Sequence, residues 1–185
     1  MDLCNMNDIK SLLTRHGFHF SKSMGQNFLI DPEVPARIAA SSEADRSCGV
    51  LEIGPGIGPL TAELAQLAGK VVSVERDAQH FRFISQIVDT LKAPNCYLLR
   101  ADVFRYLDRC NEQFDFIFAD PPYALKNLED LPDLVFRHNL LKPDGLFVLE
   151  HGKTNDFSAH PSFKEHRTYG SVNFSFFKAK ETANE

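Results

Sequence analysis

The sequence predicts a doubly wound α/β domain, with one mostly parallel sheet covered by helices and closed by an antiparallel C-terminal hairpin. Three observations predict it. From residue 50 onward, short apolar runs alternate with stretches that repeat their apolar residues at helical spacing. The runs are apolar throughout, as strands buried on both faces are. A glycine-rich turn follows the first run, at the end of the strand where such sheets gather ligands.

The elements follow in order. Residues 8–16 read as a short helix with Ile9, Leu12 and Leu13 on one face, and 17–31 as a loop. A second helix is expected over 32–41, with Asp31 as N-cap and Pro32 in the first turn. Strands are expected at 50–53, 71–74, 97–99, 114–119, 146–149 and 172–177, and helices at 59–67, 78–91, 103–110 and 128–138. The segment 164–169 leads across Gly170 into the last run, which predicts the closing hairpin. The expected organisation is a helical segment with a cofactor-contacting loop over 1–49 and the sheet domain over 50–185, one structural domain overall.

Composition agrees with this reading. The chain has 185 residues, 43% hydrophobic and 24% charged, enough for one substantial core and little more. Its 10 glycines and 10 prolines are scattered, which excludes collagen-like and low-complexity classes. A net charge of -5 gives no global attraction to nucleic acid, so such a partner requires a local basic surface. Cys4, Cys48, Cys96 and Cys110 lie far apart, without zinc spacing, and read as thiols in a reducing compartment; no metal is expected. No signal peptide and no apolar stretch near the roughly 20 residues of a bilayer span is visible, so a cytoplasmic location is expected.

Two motifs carry chemistry. The first is Glu52-Ile53-Gly54-Pro55-Gly56-Ile57-Gly58-Pro59 after the first strand. A nicotinamide-type G-x-G-x-x-G would need glycine at 59, and a phosphate loop would need Gly-Lys-Ser/Thr; neither is present. What remains, E-x-G-x-G-x-G, is the arrangement of S-adenosylmethionine enzymes. That cofactor carries a sulfonium and an ammonium, which suit a carboxylate such as Glu52. Glu75, ending the second strand, is placed for the two ribose hydroxyls, and Asp102, after the third, for the adenine edge. Each alone is commonly a strand end or a helix cap. Three on successive strands make a binding site.

The second motif is Asp120-Pro121-Pro122-Tyr123, directly after the fourth strand. Two prolines stiffen the turn and remove N–H donors. An amine on an aromatic ring is a poor nucleophile because its lone pair is delocalised. A carboxylate and a backbone carbonyl accepting its two hydrogens hold it and favour the nucleophilic geometry. Tyr123 offers a face for a flipped-out base. The pair of motifs predicts methyl transfer to an exocyclic base nitrogen.

On these residues the chain resembles two families. Residues 7–76, with Gly25-Gln26-Asn27-Phe28-Leu29 and Leu51-Glu52-Ile53-Gly54-Pro55-Gly56, resemble the small-subunit rRNA adenine-N6 dimethyltransferases, the KsgA family. That resemblance implies that Asn27, Leu29, Gly54, Glu75 and Asp102 line the cofactor pocket. Residues 77–178 resemble the small-subunit rRNA guanine-N2 methyltransferases, the RsmD family, through Ala101-Asp102-Val103-Phe104, the strand ending in Asp120-Pro121-Pro122-Tyr123, Leu149-Glu150-His151-Gly152 and Tyr169-Gly170-Ser171-Val172-Asn173-Phe174. The adenine family carries Asn-Leu-Pro-Tyr at the turn, which this chain lacks, and the guanine family begins with a basic segment that residues 1–49 replace. The chain therefore reads as a mosaic joined near 74–77.

The expectation is a class I methyltransferase using S-adenosylmethionine and acting on guanine N2 of 16S rRNA, free or in the small ribosomal subunit, as a monomer. The cofactor set is Asn27, Leu29, Glu52, Gly54, Gly56, Gly58, Glu75, Asp102 and Asp120; the catalytic set is Asp120, Pro121, Pro122 and Tyr123. Two alternatives stand beside it: the same chemistry on adenine N6 or a DNA base, and a non-catalytic RNA-binding or ribosome-assembly protein of the same fold. His151 reads as a surface-loop histidine, and Phe174, Phe176 and Phe177 as core. Arg15, His19 and Lys22 form a small basic patch, and Lys126 is the better candidate for a substrate phosphate.

Overall fold

A computed structural model of the chain describes residues 33–122, 124–169 and 172–179. The helix expected over 8–16, the loop after it, the basic patch of Arg15, His19 and Lys22, and the predicted site residues Asn27, Leu29 and Tyr123 lie outside the described residues.

The described elements are α1 (Glu33–Ser41), β1 (Gly49–Ile53), α2 (Pro59–Leu67), β2 (Lys70–Glu75), α3 (Ala78–Leu91), β3 (Cys96–Arg100), α4 (Val103–Arg109), β4 (Phe114–Ala119), α5 (Asp130–Arg137), β5 (Leu141–His151), β6 (Phe163–Tyr169) and β7 (Val172–Lys178). One seven-stranded sheet has the order β3-β2-β1-β4-β5-β7-β6. The pairs from β3 across to β5 are parallel, and β7 runs antiparallel between β5 and β6. This is the class I methyltransferase fold. After β3 the chain returns to the other side of β1, so the strand order reverses between β1 and β4, where a crevice opens at their carboxyl ends.

Side-chain alternation divides the core between the two faces. Leu51, Ile53, Ile117, Phe147, Leu149 and Phe177 pack with Leu107 of α4 and with Leu131 and Val135 of α5. Val50, Val71, Phe116, Phe118, Val148 and Phe174 pack on the other face with Ala39 of α1 and with Leu60 and Leu64 of α2. Phe177 is fully buried, stacked on Phe147 at 5.2 Å between ring centroids and edge-on to Phe157 at 5.9 Å. Phe174 and Phe176 are buried as well, so the aromatic C-terminal strand is core.

Helix boundaries have local causes. Gly58 caps α2 at φ 90° and Pro59 opens it, and burial of Leu60, Leu64 and Ala65 holds it down. Asp77 caps α3 by accepting from the amides of Gln79 and His80, and Phe83, Ile84, Ile87 and Val88 form its buried stripe.

Two strands depart from the sequence pattern. β5 extends over Leu141–His151, well beyond 146–149. Leu141 pairs with Phe114 and the ladder then slips before Phe116 meets Leu146. Asp144 at φ 62° takes up the slack, so Pro143 and Gly145 interrupt the pattern without ending the strand. β3 is apolar yet not covered on both faces. It is the sheet edge, with Tyr97 52% and Leu99 39% exposed, and the Lys70 ammonium sits over the Tyr97 ring.

Candidate active site

The carboxyl ends of β1, β2, β3, β4 and β5 surround a cavity of about 840 Å³, within the range of cofactor sites. Among its lining residues are Glu52, Gly54, Gly56, Glu75, Asp102, Asp120, Pro121 and Pro122. The sheet thus brings together residues that are 70 positions apart in sequence.

The glycine turn is built by necessity at two positions. Gly54 holds φ 75°, and a Cβ there would lie 2.5 Å from the Asp120 carbonyl oxygen, so only glycine lets β1 leave this close to the next strand. The Asp120 amide in turn donates to the Ile53 carbonyl at 2.9 Å. Gly56 holds φ 56° with nothing within 4 Å of a Cβ position, so its backbone borders open space in the cavity. Gly58 is the α2 cap, and its missing side chain admits Ile84, whose carbons lie 3.2 Å from a Cβ position. It is absent from the cavity lining, so its place is packing.

Glu52 is buried, and one carboxylate oxygen accepts hydroxyl hydrogens from Thr61 at 2.6 Å and Ser73 at 2.7 Å. Burial raises its pKa to about 7, against the lowering effect of the two hydroxyls. Glu75 ends β2 nearly buried. One oxygen accepts from the Asp77 amide at 2.7 Å and the other lies 3.8 Å from Nδ1 of His80. Burial raises its pKa, opposed by that amide and by His80. Asp102 combines two readings: it caps α4 by accepting from the Arg105 amide, it lies 3.8 Å from the Arg76 guanidinium, and it lines the cavity.

Asp120 stands where β4 ends. Burial raises its pKa well above the usual carboxylate range, and Glu150 and Glu52 add to the shift. The Pro122 carbonyl accepts from the Leu125 amide at 2.8 Å, which closes the turn. Lys126 is exposed.

Sequence reasoning missed Glu150 as a site residue. It is buried at the end of β5 and lines the same cavity. The signal was available, since it follows the fifth strand as Asp120 follows the fourth. His151 needs a correction. It is buried, not a surface-loop residue, because β5 continues through it and β7 covers it. Its Nδ1 meets the Gly152 carbonyl at 2.9 Å, which only a ring N–H can do, so Nε2 accepts from the Ser175 hydroxyl at 2.8 Å. Burial lowers its pKa.

The residues fit S-adenosylmethionine. Gly56 leaves a space that a side chain would fill, and Glu52, Glu75 and Asp102 supply acidic and hydrogen-bond-accepting groups for a ligand that is cationic at one end and carries hydroxyls in the middle. Among the described residues there is no cluster of His, Cys, Asp and Glu able to hold a metal ion, and no helix long and apolar enough to cross a membrane.

Comparison with known proteins places these observations. The family model described as Conserved hypothetical protein 95, that of the RsmD family, matches residues 41–178. "Ribosomal RNA small subunit methyltransferase A" of Listeria monocytogenes serotype 4a is 35% identical over 180 residues, covering 92% of this chain and 58% of that protein. The protein of the same name from Shouchella clausii is 47% identical over 96 residues, 51% of this chain and 31% of that one. This chain thus spans less than two thirds of these relatives. The structure titled "Putative methyltransferase yhhF from Escherichia coli" superposes with a TM-score of 0.68 at 21% identity, covering 80% of this chain and 84% of that one, and shares its fold. One family matched by the model and another by curated relatives, with higher identity confined to half the chain, fit the mosaic reading.

Proposed function

We propose a function on one premise: the chain belongs to the Conserved hypothetical protein 95 family, and it acts as an S-adenosylmethionine-dependent rRNA methyltransferase that modifies the exocyclic N2 of a guanine in 16S rRNA. The observation that carries this reading is the single cavity that joins the Gly54–Gly56 turn to the Asp120-Pro121-Pro122 turn. A cofactor held by one turn presents its methyl group to a base held by the other.

The bound cofactor supplies a methyl group already activated on a sulfonium. The protein's contribution is position. Glu75 accepts from the ribose hydroxyls, Asp102 faces the adenine, and Glu52 sets a carboxylate near the cationic end. Asp120 and the carbonyl of Pro121 accept the two amine hydrogens, since that of Pro122 is taken by Leu125. Tyr123 stacks on the base. As the nitrogen–methyl bond forms and the sulfur–methyl bond breaks, the surplus amine proton passes to Asp120 or to water. Target choice follows the turn after β4, and Asp-Pro-Pro-Tyr resembles the guanine family there.

The test is methylation of unmodified 16S rRNA and of small subunits with labelled cofactor, followed by nucleoside digestion. N2-methylguanosine is expected, and Asp120→Ala should reduce it at least a hundredfold while leaving cofactor affinity within a few-fold. N6-methyladenosine would overturn the guanine assignment in favour of the adenine reading. No methylation by a folded, cofactor-binding protein favours the non-catalytic one.

A further inference from the structure

We infer that Glu150 is a specificity residue, accepting the guanine N1–H beside the amine that Asp120 holds; this rests on the guanine-N2 reading. The argument begins with register. β4 and β5 are parallel neighbours with Ala119 opposite Leu149, so the next residue on each, Asp120 and Glu150, leaves the sheet side by side. Both have the parity of Phe118 and Val148 and face the same side of the sheet. Both line the same cavity.

A buried carboxylate at a ligand cavity is costly unless something there donates to it. Glu52, the third carboxylate on this face, has its donors inside the protein, the hydroxyls of Thr61 and Ser73. Guanine brings donors to the other two. Its edge carries N2–H₂ and N1–H next to each other, both pointing outward, so a base whose amine meets Asp120 turns its N1–H toward the neighbouring strand. Adenine presents a lone pair at N1 instead, which a carboxylate repels. The pairing discriminates by leaving a buried acceptor opposed to an acceptor when the wrong base enters. The elevated pKa of Asp120, partly due to Glu150 and Glu52, agrees with carboxylates this close. Glu75 and His80 from β2 and α3, and Asp102, Arg76 and Arg100 across the cavity, complete the charged groups around it.

The test uses 16S rRNA rebuilt by splinted ligation, with 2-aminopurine in place of the guanine that the wild type is found to methylate. This analogue keeps the 2-amine, lacks N1–H and has a lone pair at N1. The wild type should favour guanine at least tenfold in kcat/KM. Glu150→Ala should bring that ratio to within about twofold, and the isosteric Glu150→Gln should retain part of it through its amide oxygen. Cofactor affinity by calorimetry should stay within a few-fold in both. With the Glu150 charge gone, the acidic limb of the kcat/KM profile should move to lower pH, a change that a purely structural role does not produce. Equal use of both bases by the wild type, or undiminished discrimination in both variants, overturns the inference while the guanine-N2 reading stands. A mapped product on adenine overturns both.

Discussion

Gly54→Ala should damage the protein far more than Gly56→Ala, although both glycines lie in one turn at positive φ. A side chain in the left-handed region costs about 1–2 kcal/mol, and both positions, at φ 75° and φ 56°, incur it. At Gly56 nothing lies within 4 Å of the new carbon, so the cost stops there. At Gly54 the new carbon would sit 2.5 Å from the Asp120 carbonyl oxygen and 3.1 Å from its carbon. Those are backbone atoms and no rotamer relieves them. β1 and the Asp120 turn must separate, at a further cost of about 1–3 kcal/mol, typical of overpacking. For a chain of this size each kcal/mol lowers Tm by roughly 2–4 °C. Gly56→Ala should therefore lose about 2–8 °C and Gly54→Ala about 2–12 °C more. Thermal unfolding without ligand measures both. Calorimetry should then show cofactor binding weakened in Gly56→Ala despite its intact fold, because the methyl group enters the cavity. A Gly54→Ala protein as stable as Gly56→Ala would refute the close approach of the two turns and the reasoning built on it.

Three other outcomes are expected. Glu52 has a folded pKa of about 7 against an ordinary 4.5, so between those values the folded chain holds a proton that the unfolded chain has lost; stability should fall as pH rises through that window, by about 3 kcal/mol at most, and urea denaturation of Glu52→Gln should show the fall removed. Glu75→Ala should weaken S-adenosylmethionine binding at least tenfold, about 1.4 kcal/mol, by calorimetry, and affinity equal to wild type would exclude the ribose role. Phe177→Ala opens a cavity among Phe147, Phe157 and Phe163 and should cost about 3–5 kcal/mol in urea denaturation, with a smaller loss showing that the C-terminal strand is not core.

The parts of the fold legible in the sequence are those where local signals agree with packing. α2 and α3 begin and end where proline, glycine and an N-cap aspartate place them, and periodicity marked their buried faces. β5 was foreshortened because Pro143 and Gly145 are turn signals locally, whereas pairing of Leu141 with Phe114 is a tertiary fact. The edge position of β3 was hidden for the same reason, since an apolar run looks alike at the centre and rim of a sheet. In the site, Glu52, Gly54, Gly56, Glu75, Asp102 and the Asp120-Pro121-Pro122 turn line one cavity as expected, while Gly58 turned out to serve helix packing. Glu150 and His151 escaped because their environment is made by β4 and β7, distant in sequence. A histidine after a strand has no mark of burial until Ser175 is known to face it.

The seam explains why a mosaic can keep a complete site. It falls where β2 ends and α3 begins, so Glu52, Gly54 and Gly56 lie on one side of it and Asp102, Asp120 and Glu150 on the other. What must match across it is backbone pairing and one packed contact. The pairing is generic: β1 meets β4 through Val50 to Ile53 against Phe116 to Ala119, all parallel and in unbroken register, and any two apolar strands of this fold supply that. The contact is particular. Ile84 of α3 lies 3.2 Å from where a Gly58 side chain would begin, so glycine before the join makes room for a branched side chain after it. A cofactor cavity at strand ends depends on register more than on side-chain fit. The core between α2 and α3 is therefore where a mismatch between parents would register as lost stability, and the strand ends are where function survives it.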